Sequence, residues 1–529
     1  MTRLLFLALL LLVASPAPQT APVDLDTWVQ RATTAFEVPG LSLALVKDGQ
    51  VVVAKGYGVR RLGAAEAVDA RTLFGIASNT KVFTATALGI LVDEGKIRWD
   101  APVIDYIPWF QMSDPYVTRE MTVRDLLVHR SGLGLGAGDL LWWPASTYNR
   151  KEIAQRLRYL PLATSFRSAY AYDNVLYTVA GEVIEAVSGQ PWEDFVHSRV
   201  LAKVGMTTSN VRHSDATKGG NVATPHAPVD GKVRPIAAFV SDNTNPAGGI
   251  NSNAEDMAKW LLVQLSEGRL ADGSALVKPA TARQLGALVT PIPLGEGPPE
   301  LREIRSSFLG YGLGLVIQDY RGHKLLSHTG GLPGYVSKVA MIPDAGLGIA
   351  ILTNQESSVA FEAIADHLMD GYLGAPPTDW IAAFQAIQKR VAARMAAAAQ
   401  GATAARDAAL KPSLPLEKYA GRYRDAWYGE MTIALLRADG ASAGQAAAAG
   451  GLAITFDRTP LLTGRLEHWQ HDTFVARWTD RELRADAFVT FALNPDGTID
   501  TVKMRAVSPE TDFSFDFHDL LFKRIATSR

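Results

Sequence analysis

Ser78 and Lys81 stand three positions apart in the stretch GIASNTKVFTATAL, which covers residues 75–88. Residues at i and i+3 of a helix share a face, and the apolar run that follows predicts a buried helix from Ser78 to about Gly95. At the start of such a helix the dipole favours a developing anion, and a partly buried lysine can accept a serine proton. The spacing therefore predicts a nucleophile beside its base. The alternative is that Ser78 only caps the helix.

Two other polar motifs come later in the chain. Tyr172 and Asn174 form a Tyr-x-Asn motif directly before a predicted helix, and Tyr170 is an alternative to the first tyrosine. The second motif ends a predicted strand and consists of His328, Thr329, Gly330 and Gly331.

The order Ser-x-x-Lys, Tyr-x-Asn and His-Thr-Gly resembles that of the serine β-lactamase and penicillin-binding-protein superfamily. The sequence is most similar to the class C β-lactamase-like branch, which also holds esterases, D-aminopeptidases and D-Ala-D-Ala carboxypeptidase homologues. The resemblance covers about residues 23–373 and includes the stretches TVRDLLVHRSGLG, PAGGINSNAEDMAKW and YGLGLVI. A Ser-Asp-Asn sequence at residues 241–243 comes much later than class A β-lactamases place that motif, and we interpret it as a loop.

The resemblance implies an acyl-enzyme mechanism with a role for each motif residue. Ser78 would attack the substrate carbonyl, Lys81 would accept or relay its proton, and Tyr172 would share that work as a phenolate or a relay. The implied substrate-binding residues are Asn174, His328, Thr329 and Gly330. The backbone N–H groups of Ser78 and Gly331 would form the oxyanion hole.

His328 departs from the pattern of β-lactamases and carboxypeptidases, which usually have a lysine at this position. Lysine is a fixed cation for a substrate carboxylate, whereas histidine is only partly charged near neutral pH. We therefore expect a serine hydrolase of small esters, D-amino-acid peptides or cell-wall peptides rather than an efficient β-lactamase. The alternative is a non-catalytic protein of the same fold that binds peptidoglycan or a β-lactam.

Composition and missing motifs exclude several other chemistries. The chain has no cysteine, which removes disulfides, thiolate catalysis and cysteine-bound zinc. Its formal net charge is −2, so neither nucleic acid nor an anionic membrane is an expected partner. No His-Glu-x-x-His motif occurs, so we predict no metal and no cofactor. A Gly-x-Ser-x-Gly sequence occurs at residues 440–444, but it lies at the alanine-rich stretch interpreted as a loop and not between a strand and a helix, so we predict no α/β-hydrolase site. The expected partner is a small-molecule or peptide substrate, and the sequence does not indicate an oligomeric state.

The N-terminus has the pattern of a secretory signal peptide. Arg3 precedes an unbroken apolar run, Leu4–Val13, and small residues follow. The run is too short to span a bilayer, which needs about 20 residues, so cleavage near Ala17 or Ala21 is expected. We predict a signal peptide at residues 1–22 and a periplasmic or secreted protein without a membrane span in the mature chain. The alternative is an uncleaved anchor.

Strand-like segments flank a helical middle in the first part of the chain. A hairpin is predicted around Asp48-Gly49, and β-rich runs return at residues 323–354. This pattern predicts an α/β (α+β) domain at residues 23–375, whose mainly antiparallel sheet is flanked by helices and carries an inserted all-helical region. Within that region, Thr122 and Asp125 form a capping-box pattern that predicts a helix ending at Gly132. His129, in the same segment, is interpreted as a structural turn residue.

The last part of the chain changes composition twice. An alanine-rich helical linker is expected at residues 376–411, because alanine has the best helix propensity. An all-β, barrel-like domain is expected at residues 412–529, with a hairpin turn at Asp496-Gly497 and an alanine-rich loop at 441–451. This domain resembles the β-barrel modules appended to such hydrolases, and we hypothesise that it restricts substrate size.

Overall fold

The chain folds into an α/β unit followed by a β-barrel, as seen in a computed structural model. The structure describes residues 20–217, 220–404, 406–407, 409–436 and 451–525. The predicted signal peptide therefore lies almost entirely outside the described residues, and so does most of the predicted loop at 441–451. The predicted fold class is confirmed, because a large antiparallel sheet is flanked by helices and a closed antiparallel barrel follows it.

The α/β unit has strands near both ends of its sequence and a mainly helical middle. Its strands are β1 (Gly40–Lys47), β2 (Gln50–Gly58), β3 (Phe74–Gly75), β4 (His226–Val229), β5 (Lys232–Pro235), β6 (Asn251–Ser252), β7 (Thr290–Pro291), β8 (Leu309–Tyr311), β9 (Val316–Tyr320), β10 (His323–Leu332), β11 (Tyr335–Ile342) and β12 (Leu347–Thr353). Its helices are α1 (Leu25–Ala35), α2 (Thr80–Asp93), α3 (Pro115–Glu120), α4 (Arg150–Arg156), α5 (Val175–Ser188), α6 (Trp192–Val196), α7 (Ala202–Val204), α8 (Asn245–Gly248), α9 (Ala254–Leu265), α10 (Pro279–Leu285) and α11 (Ser358–Leu373).

Among the described residues, an eight-stranded sheet has the order β2-β1-β12-β11-β10-β9-β8-β7. Side chains of a strand alternate between the two faces of a sheet, and β1 is buried on both. Leu41, Leu43 and Leu45 pack into the core that α1 and α11 cover, whereas Ala44 and Val46 pack into the core that contains α2. Burial on both faces explains why β1 reads as a continuous apolar run.

The predicted alanine-rich linker forms α12 (Trp380–Ala404), which begins on the α/β unit. Trp380, Ile381 and Phe384 are buried in the core beneath α1 and α11. The first turns of this helix are therefore part of the first core. A short helix, α13 (Leu416–Tyr419), then leads into the barrel.

The barrel is closed, and in the described part of the chain it has eight strands in sequential order. These strands are β13 (Gly421–Asp425), β14 (Gly429–Leu436), β15 (Gly451–Phe456), β16 (Thr463–Gln470), β17 (Thr473–Trp478), β18 (Ala487–Leu493), β19 (Ile499–Ala506) and β20 (Leu521–Arg524). Closure comes from antiparallel pairing of β13 with β20, in which Tyr423 lies opposite Arg524. Gly497 holds a φ of 80° between β18 and β19, as the predicted Asp-Gly turn requires.

The segment predicted as a helix at residues 122–132 forms turns instead. The capping-type hydrogen bonds do exist, since the Thr122 backbone N–H and hydroxyl donate to Asp125 Oδ2 at 3.1 and 2.6 Å. Asp125 is buried and also accepts from Arg130 Nε at 2.8 Å and Arg167 Nε at 3.1 Å. These partners hold the chain in a compact turn, and the φ of 54° at His129 stops the helix. The reversal brings the His129 ring to 4.2 Å from the Tyr172 ring, measured between ring centres.

Candidate active site

Ser78 lies in a single 3₁₀ turn, Ala77–Asn79, that leads into α2. Ala77 holds a φ of 49°, a left-handed conformation that is unfavourable for a residue with a Cβ and is typical of functional sites. The residues that cap this turn and the helix, Ile76 and Asn79, make no side-chain capping bond. The Ser78 hydroxyl instead forms a hydrogen bond with Lys81 Nζ at 3.0 Å. The structure thus favours the pairing over the simple capping role.

The Lys81 amine is fully buried and has three oxygen partners. Besides Ser78 Oγ, these are Asn174 Oδ1 at 2.7 Å and the Ala247 carbonyl at 3.0 Å. The amide and carbonyl oxygens only accept, so a neutral amine gives its two N–H groups to them and turns its lone pair toward the serine hydroxyl. Burial lowers the pKa of Lys81 to about 7, although two nearby carboxylates oppose the shift. A neutral Lys81 can therefore act as the base for Ser78.

Tyr172 lies beside the same pair. Its ring centre is 4.9 Å from Lys81 Nζ, and its phenol interacts with the Ser78 side chain. Burial raises the pKa of Tyr172 well above its usual value, and the hydrogen bond with Ser78 opposes this only in part. Of the two predicted roles of Tyr172, the buried phenol therefore favours the protonated relay over the phenolate. Tyr170, the alternative, packs edge-on against His129 at 5.8 Å between ring centres.

Asn174 is held on both ends of its amide. Its Oδ1 accepts from Lys81, and its Nδ2 donates to Asp139 Oδ2 at 2.7 Å. Asp139 and the neighbouring Asp173 are fully buried, and burial raises the pKa of each to about 7. Neither carboxylate was predicted from the sequence to belong to the site. A lone aspartate within the apolar stretch of residues 133–143 was the available signal for Asp139.

The His-Thr-Gly motif occupies the end of β10 next to the serine turn. β10 pairs with β11 as far as Leu332 but with β9 only as far as Ser327, so residues 328–332 have a free edge. The two-residue hairpin after Leu332 makes Gly331 and Thr329 non-hydrogen-bonded positions, which point their N–H and C=O groups away from β11. A Cβ at Gly330 would lie 2.2 Å from the Ile76 carbonyl oxygen, whereas Gly331 faces open space. The Gly331 N–H is thus free to bind an oxyanion.

His328 is buried and hydrogen-bonded through both ring nitrogens. Its Nδ1 lies 2.6 Å from the Thr329 carbonyl, which only accepts, so Nδ1 carries the proton. Its Nε2 lies 2.7 Å from the Tyr311 hydroxyl, which then donates to it. Burial and the charge of Lys81 lower the pKa of His328 to about 3. His328 is therefore neutral and offers no cation to a substrate carboxylate.

A cavity of about 1160 Å³ lies along the free end of β10 and is walled by both domains. Thr329, Gly330 and Gly331 line it from the α/β unit, together with the aromatic rings of Trp143 and Phe239. The barrel contributes Phe513 and Phe515 from the connection between β19 and β20, which we call the 507–520 connection. The cavity thus joins the free edge of β10 to residues of the barrel.

A small acidic group on the barrel has the residue types of a metal site. Among the described residues, Asp516, His518 and Asp519 form the one group of at least three potential metal ligands whose donor atoms lie within 4.8 Å of one another. Exposed acidic groups of this kind are common without an ion, and we assign no metal to it. Within the same ranges, no helix has the length and apolar character to cross a bilayer.

A serine that contacts a buried lysine and a tyrosine beside a free strand edge is the arrangement of a serine hydrolase. A family model described as Beta-lactamase matches residues 25–373, and the chain belongs to this family. A second model, described as a domain of unknown function, DUF3471, matches residues 405–524. The chain is thus a serine hydrolase of the β-lactamase and penicillin-binding-protein superfamily with an additional C-terminal domain.

Individual relatives agree with this assignment. The unguisins hydrolase ungD of Aspergillus violaceofuscus is 28% identical over 518 residues, which cover 92% of this chain and 88% of that protein. An octameric penicillin-binding protein homologue from Pyrococcus abyssi has the same fold, with a TM-score of 0.58 and 22% identity over 94% of this chain and 99% of that chain. A D-stereospecific amidohydrolase from Streptomyces sp. gives a TM-score of 0.52 and 22% identity over 65% of this chain and 98% of that chain.

Proposed function

We propose that the chain hydrolyses an ester, or an amide without a carboxylate, through an acyl-enzyme on Ser78. The observation that carries this proposal is the contact between Lys81 Nζ and Ser78 Oγ, with the other two partners of the amine being oxygens that only accept. Lys81 takes the proton as Ser78 Oγ attacks the carbonyl. Tyr172 then donates its proton to the leaving group and is reprotonated by Lys81, which returns the amine to its neutral state. The N–H groups of Ser78 and Gly331 hold the oxyanion, and water then releases the acyl group.

The substrate is an ester or amide without a carboxylate at the position that β10 recognises. The neutral His328, whose two nitrogens are engaged by Thr329 and Tyr311, supports this choice. The aromatic side chains that line the cavity support a substrate with a large apolar part. A D-amino-acid amide is the second candidate, since one structural relative is a D-stereospecific amidohydrolase.

Export to the periplasm or the medium is also part of the proposal. It is supported by the charged start and the apolar run at residues 3–13. Edman sequencing of the mature protein would test it, with a new N-terminus near residue 18 or 22 as the expected result.

The test is labelling and turnover by the purified chain. A fluorophosphonate probe should label the chain but not the Ser78→Ala variant, while Ser274→Ala, which removes an exposed hydroxyl bonded only to Asp272, should label normally. p-Nitrophenyl esters and D-alanine p-nitroanilide should turn over faster than nitrocefin, which carries a carboxylate. A chain that takes no label and turns over none of these substrates would support the non-catalytic binding protein instead.

A further inference from the structure

A continuous series of side-chain hydrogen bonds runs from the C-terminal barrel to the nucleophile. Ser514 Oγ donates to Asp139 Oδ2 at 2.8 Å, and Asn174 Nδ2 donates to the same oxygen at 2.7 Å. Asn174 Oδ1 accepts from Lys81 Nζ at 2.7 Å, and Lys81 contacts Ser78 Oγ at 3.0 Å. Ser514 is the member of this series that the second domain supplies, and it is buried.

Asp139 fixes which way the Asn174 amide points. A carboxylate only accepts, so it binds the NH₂ end of the amide and leaves the oxygen end for Lys81. If Asn174 turned over, its NH₂ group would face the amine and its oxygen would face the carboxylate. The Lys81 lone pair faces Ser78 because the two N–H groups of the amine donate to Asn174 Oδ1 and to the Ala247 carbonyl. The orientation of Asn174 therefore keeps the Lys81 lone pair directed at the Ser78 hydroxyl.

Asp139 in turn needs donors, because it is a fully buried carboxylate. Trp142 Nε1 donates to its Oδ1 at 3.0 Å, and Asn174 and Ser514 share its Oδ2. Burial raises the pKa of Asp139 to about 7, and the bonds from Asn174, Ser514 and Trp142 oppose that shift. Without the Ser514 hydroxyl, a larger part of Asp139 is protonated near neutral pH and can no longer serve Asn174 as a pure acceptor.

The 507–520 connection is held against the α/β unit on both sides of Ser514. Asp516 Oδ2 accepts from the Gly138 backbone N–H at 2.7 Å, directly before Asp139. The Phe513 ring packs edge-on against Tyr172 at 6.0 Å between ring centres. Ser514 thus reaches Asp139 from a segment with two other contacts to the site.

The groups that face Lys81 come from several elements. They are Asp139, Asp173, His129, His328, Tyr172 and Tyr177. Burial lowers the pKa of both histidines and raises the pKa of both tyrosines, so these four are uncharged near neutral pH. The two aspartates are the anions that raise the pKa of Lys81. Asp139 is itself faced by Lys81 and, across the domain boundary, by Asp516.

We propose that Ser514 is a positioning residue for the reaction of Ser78, supplied to the active site by the C-terminal barrel. The proposal rests on the proposed function. The Ser514 hydroxyl keeps Asp139 a hydrogen-bond acceptor. Asp139 then orients Asn174, and Asn174 orients the Lys81 amine. The C-terminal barrel therefore helps to position the catalytic residues.

The test compares hydroxyl variants within one connection of the full-length chain. Ser514→Ala should lower kcat for p-nitrophenyl acetate by about 10- to 100-fold, the effect of losing one hydrogen bond to a charged group, with little change in KM. It should also move the acid limb of kcat/KM to lower pH, because a less charged Asp139 supports the Lys81 cation less. Ser514→Thr should restore much of the rate, and Ser514→Cys, with a similar volume but a weak donor, tests the loss if the alanine variant does not fold.

Thr511→Val is the matched control. Thr511 is on the same connection, and its hydroxyl has no hydrogen-bond partner among the described residues. It should keep the rate and the pH profile of the unmodified chain. An unchanged rate and acid limb in Ser514→Ala, or an equal loss in Thr511→Val, would overturn the positioning role. Fluorophosphonate labelling of the unmodified chain distinguishes failure of one proposal from failure of both. No label and no turnover there would overturn both proposals, whereas a labelled chain whose Ser514→Ala variant is unchanged would overturn only the positioning role.

Discussion

Replacing Asp139 with asparagine should move the acid limb of the activity profile to lower pH. Asp139 accepts from Asn174, which in turn accepts from Lys81. The Asp139→Asn variant keeps the shape of the side chain and one acceptor oxygen while it removes the negative charge. Since the Lys81 amine must be neutral to accept the proton of Ser78, the pH at which activity rises reports the pKa of Lys81.

The size of the shift follows from the distance between the two charges. The Asn174 amide bridges them through two bonds of 2.7 Å, so they are about 8 Å apart or less. At an effective dielectric constant of about 20, this separation gives about 2 kcal/mol, or about 1.5 pH units. Burial raises the pKa of Asp139 to about 7, so the carboxylate is only partly charged where Lys81 titrates. We therefore expect a downward shift of about 1 pH unit.

The assay is kcat/KM for a p-nitrophenyl ester between about pH 5 and pH 9, where the limb of the unmodified chain should lie near the Lys81 pKa of about 7. Asp272→Asn is the control, because it removes a fully exposed carboxylate that bonds only to the Ser274 side chain and backbone N–H. The direction of the shift of the acid limb tests the assignment, because removing an anion lowers the pKa of a nearby amine. A limb that stays in place or moves to higher pH would refute the assignment of Lys81 as the base and of Asp139 as its charge partner.

Three further outcomes are expected. Phe513→Ala should raise kcat/KM for bulky acyl esters relative to acetyl esters, as measured on a p-nitrophenyl ester series, because it removes a cavity wall; an unchanged ratio would contradict this. Gly136→Ala should cost about 1–3 kcal/mol in urea unfolding, since φ is 68° there and a Cβ would lie 2.7 Å from Phe513; wild-type stability would argue against this packing. Asp125→Ala should cost about 2–3 kcal/mol in the same assay, because it leaves two arginines without their buried partner, and a neutral result would show that the cluster contributes little.

The contact between Ser78 and Lys81 could be predicted because its geometry is local. Ser78 and Lys81 are three residues apart, and one turn of helix brings their side chains together whatever the rest of the fold does. The sheet was predictable for a similar reason, because alternation and turn residues are read within short windows. The strand that carries His328 was also predicted, although the neutral state of this histidine depends on Tyr311, which no local pattern connects to it.

What could not be predicted depends on contacts between distant residues. Asp139 meets Ser514 across 375 positions, and no spacing in the sequence relates the two. The choice between the two predicted roles of Tyr172 could not be made for the same reason, since the sequence does not show the packing that buries the phenol. The turn at residues 122–132 was predicted as a helix because the capping pattern was visible and the arginine partners of Asp125 were not.

The way the domains join decides how the role of the barrel must be tested. Deleting residues 412–529 would remove Ser514, but it would also remove part of a hydrophobic core that both domains share. Tyr148 and Leu140 of the α/β unit belong to the same buried cluster as Tyr428 and Phe517 of the barrel. A loss of activity after such a deletion would follow from unfolding as readily as from a missing hydrogen bond. The single hydroxyl of Ser514 can be removed while this core stays intact, so the point variants separate support of the fold from support of the nucleophile. If the barrel only stabilised the first domain, Ser514→Ala would change the unfolding free energy and leave the pH profile where it was.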